Sequence, residues 1–158
     1  MTIRVSTDDF DCNHELQQLA RGGKAGYPGA MVSFVGLVRD FSENSQITAM
    51  TLEHYPGMTE AELSRIRDQA MARWPLTAAT IIHRVGRLTA GEQIVFVGCA
   101  SPHRHAAFEA AAFIMDFLKT DAPFWKAEET PAGSRWVDAR ETDSDARARW
   151  HKDKAKKP

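Results

Sequence analysis

The spacing of apolar residues changes several times along the chain. Residues 3–6 read as a short strand, and Asp8 and Asp9 stand where they would cap a helix running to residue 19 or 20. A glycine-rich break follows at 21–26. It is not a phosphate loop, because Gln18 stands where the first glycine is needed and Ala25 replaces the hydroxyl residue. Residues 29–39 (GAMVSFVGLVR) are dense in Val, Phe and Leu and predict a buried strand. Residues 40–45 are polar and predict a flexible loop, and 47–55 predict another strand ending at the turn Pro56-Gly57. Thr59 with Glu62 has capping-box spacing, and Leu63, Ile66, Ala70 and Trp74 make one stripe of the helix that follows. Pro75 ends it.

Residues 77–85 predict a strand, 90–92 a turn, and 93–100 (QIVFVGCA) a second buried strand. Ser101 as N-cap and Pro102 at the first helical position then open a helix. Ala107, Ala110, Ala111, Ile114 and Leu118 give it a small-residue packing face, and Pro123 lies beyond its end. Residues 122–128 and 135–139 read as strands about the turn Pro131-Ala132-Gly133, and 142–150 as a short final helix. Residues 151–158 carry four lysines and one aspartate and predict a frayed, solvated tail. Strands and helices mix without strict alternation, which predicts an α+β fold, with residues 1–150 as a single domain.

Composition narrows the function. Among 158 residues, 20 Lys+Arg stand against 21 Asp+Glu, a net charge of −1. A general nucleic-acid binder would carry a basic excess, so any anion site has to be a local cluster. The two cysteines, Cys12 and Cys99, have no CxxC partner and make no disulfide framework. No apolar run approaches the roughly 20 residues of a membrane span, and residues 1–11 lack a signal core. A cytoplasmic protein with reduced thiols is expected.

Several basic residues are candidates for chemistry. His103 and Arg104 stand where a helix presents unpaired N–H groups. Two basic residues there oppose the dipole unless an anion binds, although a surface arginine beside a neutral histidine is an ordinary alternative. Lys119 at the far end of that helix is dipole-favoured and, taken alone, unremarkable. Lys126 lies beside Phe124 and Trp125, where lost hydration would lower its pKa toward acid/base use; an edge-strand lysine that discourages aggregation is the alternative. Arg39 closes its strand, as a functional cation or as a salt-bridge partner of Asp40 or Glu43. Glu53-His54-Tyr55 reads as structural, with His54 on the opposite strand face from its neighbours. No HExxH, paired Cys/His spacing or GxSxG elbow supports metal or serine-hydrolase chemistry.

The stretches FVGLVRD (34–40), LEHYPGMTEAEL (52–63), IIHRVGRLTAGEQIVFVG (81–98), SPHRHAAFEAAAFIMDFLKTDAPFWKAEE (101–129) and RWVDAR (135–140) together resemble the large, catalytic subunits of molybdopterin synthase. The resemblance implies an α/β-hammerhead-type fold, with a mixed or antiparallel sheet, packed helices and a small β subdomain. It implies a sulfurtransferase that converts cyclic pyranopterin monophosphate into molybdopterin, in molybdenum cofactor biosynthesis. The two sulfurs would come from the C-terminal Gly-Gly thiocarboxylate of a small ubiquitin-like partner, within a heterotetramer built on a homodimer of large subunits. It implies Lys119 and Lys126 as catalytic residues, and Arg39, His103 and Arg104 as anion-binding ones. Leu37, Val38, Met115, Ala127, Glu128 and Arg140 join the implied substrate site. Relatives often carry a polar residue where Leu37 stands. No cofactor, metal, nucleic acid or membrane is implied. A non-catalytic binding subunit of the same fold, and a nucleic-acid module using the tail lysines, are the competing classes; retention of both lysines argues against the first.

Overall fold

The computed structural model describes residues 2–42, 45–137 and 141–152. Two four-stranded sheets carry the fold. The first runs β1 (Thr2–Ser6), β6 (Ala78–Arg84), β8 (Gln93–Ser101), β2 (Ala30–Leu37). Within it β1 is parallel to β6 and the other pairs are antiparallel. The second, all antiparallel, runs β10 (Gly133–Val137), β9 (Phe124–Thr130), β5 (Ala49–His54), β7 (Gly86–Thr89). This is the α+β architecture expected from the residue pattern.

Alternation along β6 and β8 sorts their side chains between two cores. Ala79, Ile81, Val95, Val97 and Cys99 face α2 (Met58–Arg73) and α3 (Arg104–Asp121), while Ile82, Phe96 and Ala100 pack toward α1 (Cys12–Leu19). Gly98 lets α1 come close: a Cβ there would lie 2.3 Å from the Leu19 Cδ1. A third cluster, Val38, Met50, Leu52 and Leu88, lies under the second sheet. The last helix, α4 (Glu141–Lys152), is pinned by Trp150. Its Nε1 donates to Asp116 Oδ2 at 2.7 Å and its ring packs edge-on against Trp74 and Phe113.

The expected caps are displaced. Asp11, not Asp8 or Asp9, caps α1 by accepting from the N–H groups of Asn13 and His14. At α2 the reciprocal bond comes from Glu60, whose Oε2 accepts from Gly57 N at 2.7 Å; Gly57 holds φ +85°. Thr59 is instead fully buried; its hydroxyl donates to Pro123 O and accepts from Tyr55 N, tying α2 to the start of β9. Ser101 ends β8, and α3 starts only at Arg104, with His103 at the cap position. The Ser101 hydroxyl accepts from His103 N at 3.2 Å and donates to Pro75 O at 2.9 Å.

Three strand expectations also change. Residues 29–39 do not form a buried strand: β2 is the sheet edge, leaving Met31, Phe34 and Leu37 more than two-fifths exposed, and the register shifts at Gly36/Leu37. The polar segment after it contains a two-residue pairing, β3 (Phe41–Ser42) with β4 (Ser45–Gln46). A separate strand, β7, follows β6, because Gly86 at φ +89° turns the chain onto the second sheet. Helix α4 runs through His151, so the expected tail starts later; residues 153–158 lie outside the described residues, as do 138 and 139 of the expected last strand.

Candidate active site

A cavity of about 640 Å³ opens between the two sheets and the C-terminal end of α3. Cross-strand register explains its composition. Residues 50, 52, 124, 126, 128 and 137 share one face of the second sheet. That face supplies apolar Met50, Leu52, Phe124 and Val137 together with charged Lys126 and Glu128. Lys119 reaches the same space from the last turn of α3, and Arg39 from the segment past the β2 irregularity. Three cations from three elements therefore meet one carboxylate, a local positive cluster on a chain of net charge −1.

Glu128 organises the anionic side. Its side chain is almost fully buried, 3.8 Å from Lys126 Nζ and 3.7 Å from Arg135. Its Oε2 accepts no hydrogen bond among the described residues. A buried carboxylate lacking a donor is costly, so the adjacent cations offset that cost. Lys119 is exposed and makes no ion pair with any described residue.

Other expected positions divide. Leu37 and Val38 line the cavity; Val38 is buried and its N–H already donates to Glu92 O at 2.9 Å. Met115, one turn before Lys119, packs partly buried against the main core and does not line the cavity. Ala127 projects from the opposite sheet face to Lys126 and Glu128. His103 and Arg104 are exposed at the far end of α3 and outside the cavity. Arg140 lies outside the described residues.

Phe34 and His83 are among the lining residues that the sequence does not single out. The signal for His83 is its place in β6: it follows Ala79 and Ile81 on the helix-facing side, where the alternation asks for an apolar residue. Burial, with Lys119 and His54 adding positive charge, pushes its pKa down to about 4. Neither cysteine lines the cavity. Cys99 is fully buried, which pushes its thiol up to about 12; Cys12 Sγ donates to Gln93 Oε1 at 2.9 Å, and burial raises its pKa too.

The family described as MoaE protein matches residues 5–121. The molybdopterin synthase catalytic subunit of Escherichia coli (strain K12) is 58% identical over 148 residues, covering 94% of this chain and 97% of the relative. A molybdopterin biosynthesis MoaE protein from Burkholderia ambifaria superposes with a TM-score of 0.79 at 53% identity, covering 95% of this chain and 97% of that one. The crystal structure of molybdopterin synthase from Staphylococcus aureus gives a TM-score of 0.77 at 28% identity, covering 85% and 95%.

Proposed function

This chain belongs to the MoaE protein family, and on that premise we propose that its cavity is where cyclic pyranopterin monophosphate becomes molybdopterin. The observation that carries the reading is the meeting of Lys119, Lys126 and Arg39, from a helix end, a strand and a strand exit, in one pocket. A phosphorylated pterin needs cations beside apolar surface, and the pocket offers both. The sulfur donor is the thiocarboxylate terminus of a small ubiquitin-like partner subunit. For each sulfur, the thiocarboxylate sulfur forms a C–S bond to a pterin side-chain carbon as a C–O bond at that carbon breaks, the oxygen leaving as water or staying with the opened phosphate. Water then attacks the partner's acyl carbon and the acyl C–S bond breaks. The partner leaves with a carboxylate and the sulfur stays on the pterin. Two rounds give the dithiolene. Lys119 and Lys126 are the amines that donate and accept protons in these steps, or trap the acyl group as an amide. Neither cysteine is required as a sulfur carrier.

His103 and Arg104 complete the phosphate site from a second copy of the chain. Sixteen residues separate His103 from Lys119, about 24 Å along a helix, too far for one small pterin to touch both. Edge strand β2 begins beside that distant end, where Gly29 N donates to Ser101 O, and finishes at the cavity with Leu37. Its eight residues span about 26 Å, nearly the same length. A two-fold axis setting two such edges antiparallel therefore brings His103 and Arg104 of one protomer to the cavity of the other. The exposed Met31, Phe34 and Leu37 supply apolar surface for that contact.

No helix among the described residues is long and apolar enough to cross a membrane. With both thiols unpaired, the cytoplasm is the compartment that fits this reading. Incubation with the pterin precursor and the thiocarboxylated partner tests it. Dithiolene formation is expected; its absence with folded, mixed subunits refutes the reading.

A further inference from the structure

One cavity side chain has no part in the chemistry above. His83 is only 5% exposed, and its Nδ1 lies 2.8 Å from Arg84 O. A carbonyl oxygen only accepts, so Nδ1 carries the proton. The Phe124 ring stacks on the imidazole, with centroids 3.9 Å apart and planes 20° from parallel. Both contacts fix the ring in plane and tautomer. Burial keeps it neutral at physiological pH, leaving Nε2 with a lone pair. None of the described residues donates to that nitrogen.

A candidate donor lines the same cavity. Lys119 lines the pocket with His83, and its charge is one of the two that act on the imidazole, the other being His54 from β5. Lys119 has no ion-pair partner among the described residues to hold its long, flexible side chain. A rigid, neutral acceptor that shares a cavity with a long, flexible donor is able to aim that donor. We propose that His83 is a positioning residue for Lys119, its Nε2 accepting a hydrogen bond from the lysine nitrogen and holding it over the cavity.

The inference rests on the reading that Lys119 is catalytic, and three substitutions separate the two. His83→Asn keeps a donor for Arg84 O but has no atom at the Nε2 position. His83→Phe keeps the stack on Phe124 and has no acceptor. His83→Gln returns a carboxamide oxygen near Nε2. Each is assayed in the complete complex with thiocarboxylated partner, per mole of protein shown folded by its melting curve. For His83→Asn and His83→Phe, kcat falls about tenfold or more while KM changes little, since the loss lies in the chemical step. His83→Gln recovers most of the rate. A purely structural histidine predicts lower melting temperatures with unchanged kcat in whatever folds. Wild-type kcat in a folded Asn or Phe variant overturns the proposal, and so does an equal loss in His83→Gln. Lys119→Ala runs in parallel: activity there refutes the catalytic assignment itself. An inactive Lys119→Ala beside a fully active His83→Asn refutes only the positioning role.

Discussion

At one end of α3, Lys119 sits in the last turn, where the helix dipole favours a cation; at the other, His103 and Arg104 sit where the dipole opposes one. No acidic residue occupies the first turn to compensate. The Lys119 end closes a cavity holding two more cations, whereas the His103 end faces outward as an isolated chain. Charge at the first end is explained by local stability alone. Charge at the second works against local stability, which fits the proposal that a ligand or a neighbouring molecule meets it there. The less favourable placement is therefore the more informative one.

Removing Lys119 gives the largest effect. Lys119→Ala lowers turnover by at least about a hundredfold, as loss of an acid/base group does. Its melting curve stays within about 1–2 kcal/mol of wild type, because only a dipole contact and the hydrogen bond to His83 are lost. A rate measurement paired with a thermal melt checks both halves. Wild-type turnover would remove the distinction between the two ends.

The comparison sharpens when the ends are put on different chains. His103→Ala/Arg104→Ala and Lys119→Ala are each inactive alone. After subunit exchange about half the dimers are mixed, and each has one site with both lesions and one with none. Activity recovers to about a quarter of wild type. Verified exchange with no recovery rejects a site shared across the two-fold.

Stability effects are smaller. The folded chain takes up the His83 proton only near pH 4, whereas an unfolded histidine does so near 6.5. Between these values the unfolded state binds more protons. Stability is thus whole above about pH 6.5 and declines as pH falls toward 4, by roughly 3 kcal/mol from this group. His83→Phe removes that contribution, so its unfolding free energy falls less steeply over the same interval in denaturant titrations. Cys99→Ser places a hydroxyl in the fully buried core. It costs roughly 1–3 kcal/mol if the hydroxyl stays unpaired, while turnover per folded molecule is unchanged.

Most strands and helices were legible because alternation and helical stripes report burial directly, as with Ile81 and Ile82 on opposite faces of β6. Caps were less legible. Thr59 and Glu62 have the right spacing, yet the Thr59 hydroxyl is committed to Pro123 O, a partner 64 residues away that local spacing does not reveal. The apolar run 29–39 was legible as a strand but not as an edge, since a hydrophobic strand looks alike whether its cover is the same chain or another. At the site, Lys119 and Lys126 lie only seven positions apart, but a helix end, the Ala122–Phe124 turn and a strand face must be placed before they converge. Resemblance to a family pointed to the pair, and its residues alone would not have done so. His83 was passed over because a histidine within an apolar strand reads as core.

The smallest effect tests the N-terminal end of α3 most directly. If Arg104 is there for a ligand rather than for the helix, removing it relieves a mismatch with the dipole in the free protein. Arg104→Ala gains about 0.3–1 kcal/mol from that relief, and alanine also has the higher helix propensity. The gain is screened, so it shrinks as salt rises from low to molar concentration. Phosphate or pterin substrate reverses the order of stabilities: wild type gains from binding, and the variant gains less. Thermal melts of both proteins at two salt concentrations, each with and without substrate, measure all four terms. If Arg104→Ala destabilises the free protein, the arginine is a structural residue. Its charge then says nothing about the site, and the contrast between the two ends of α3 collapses.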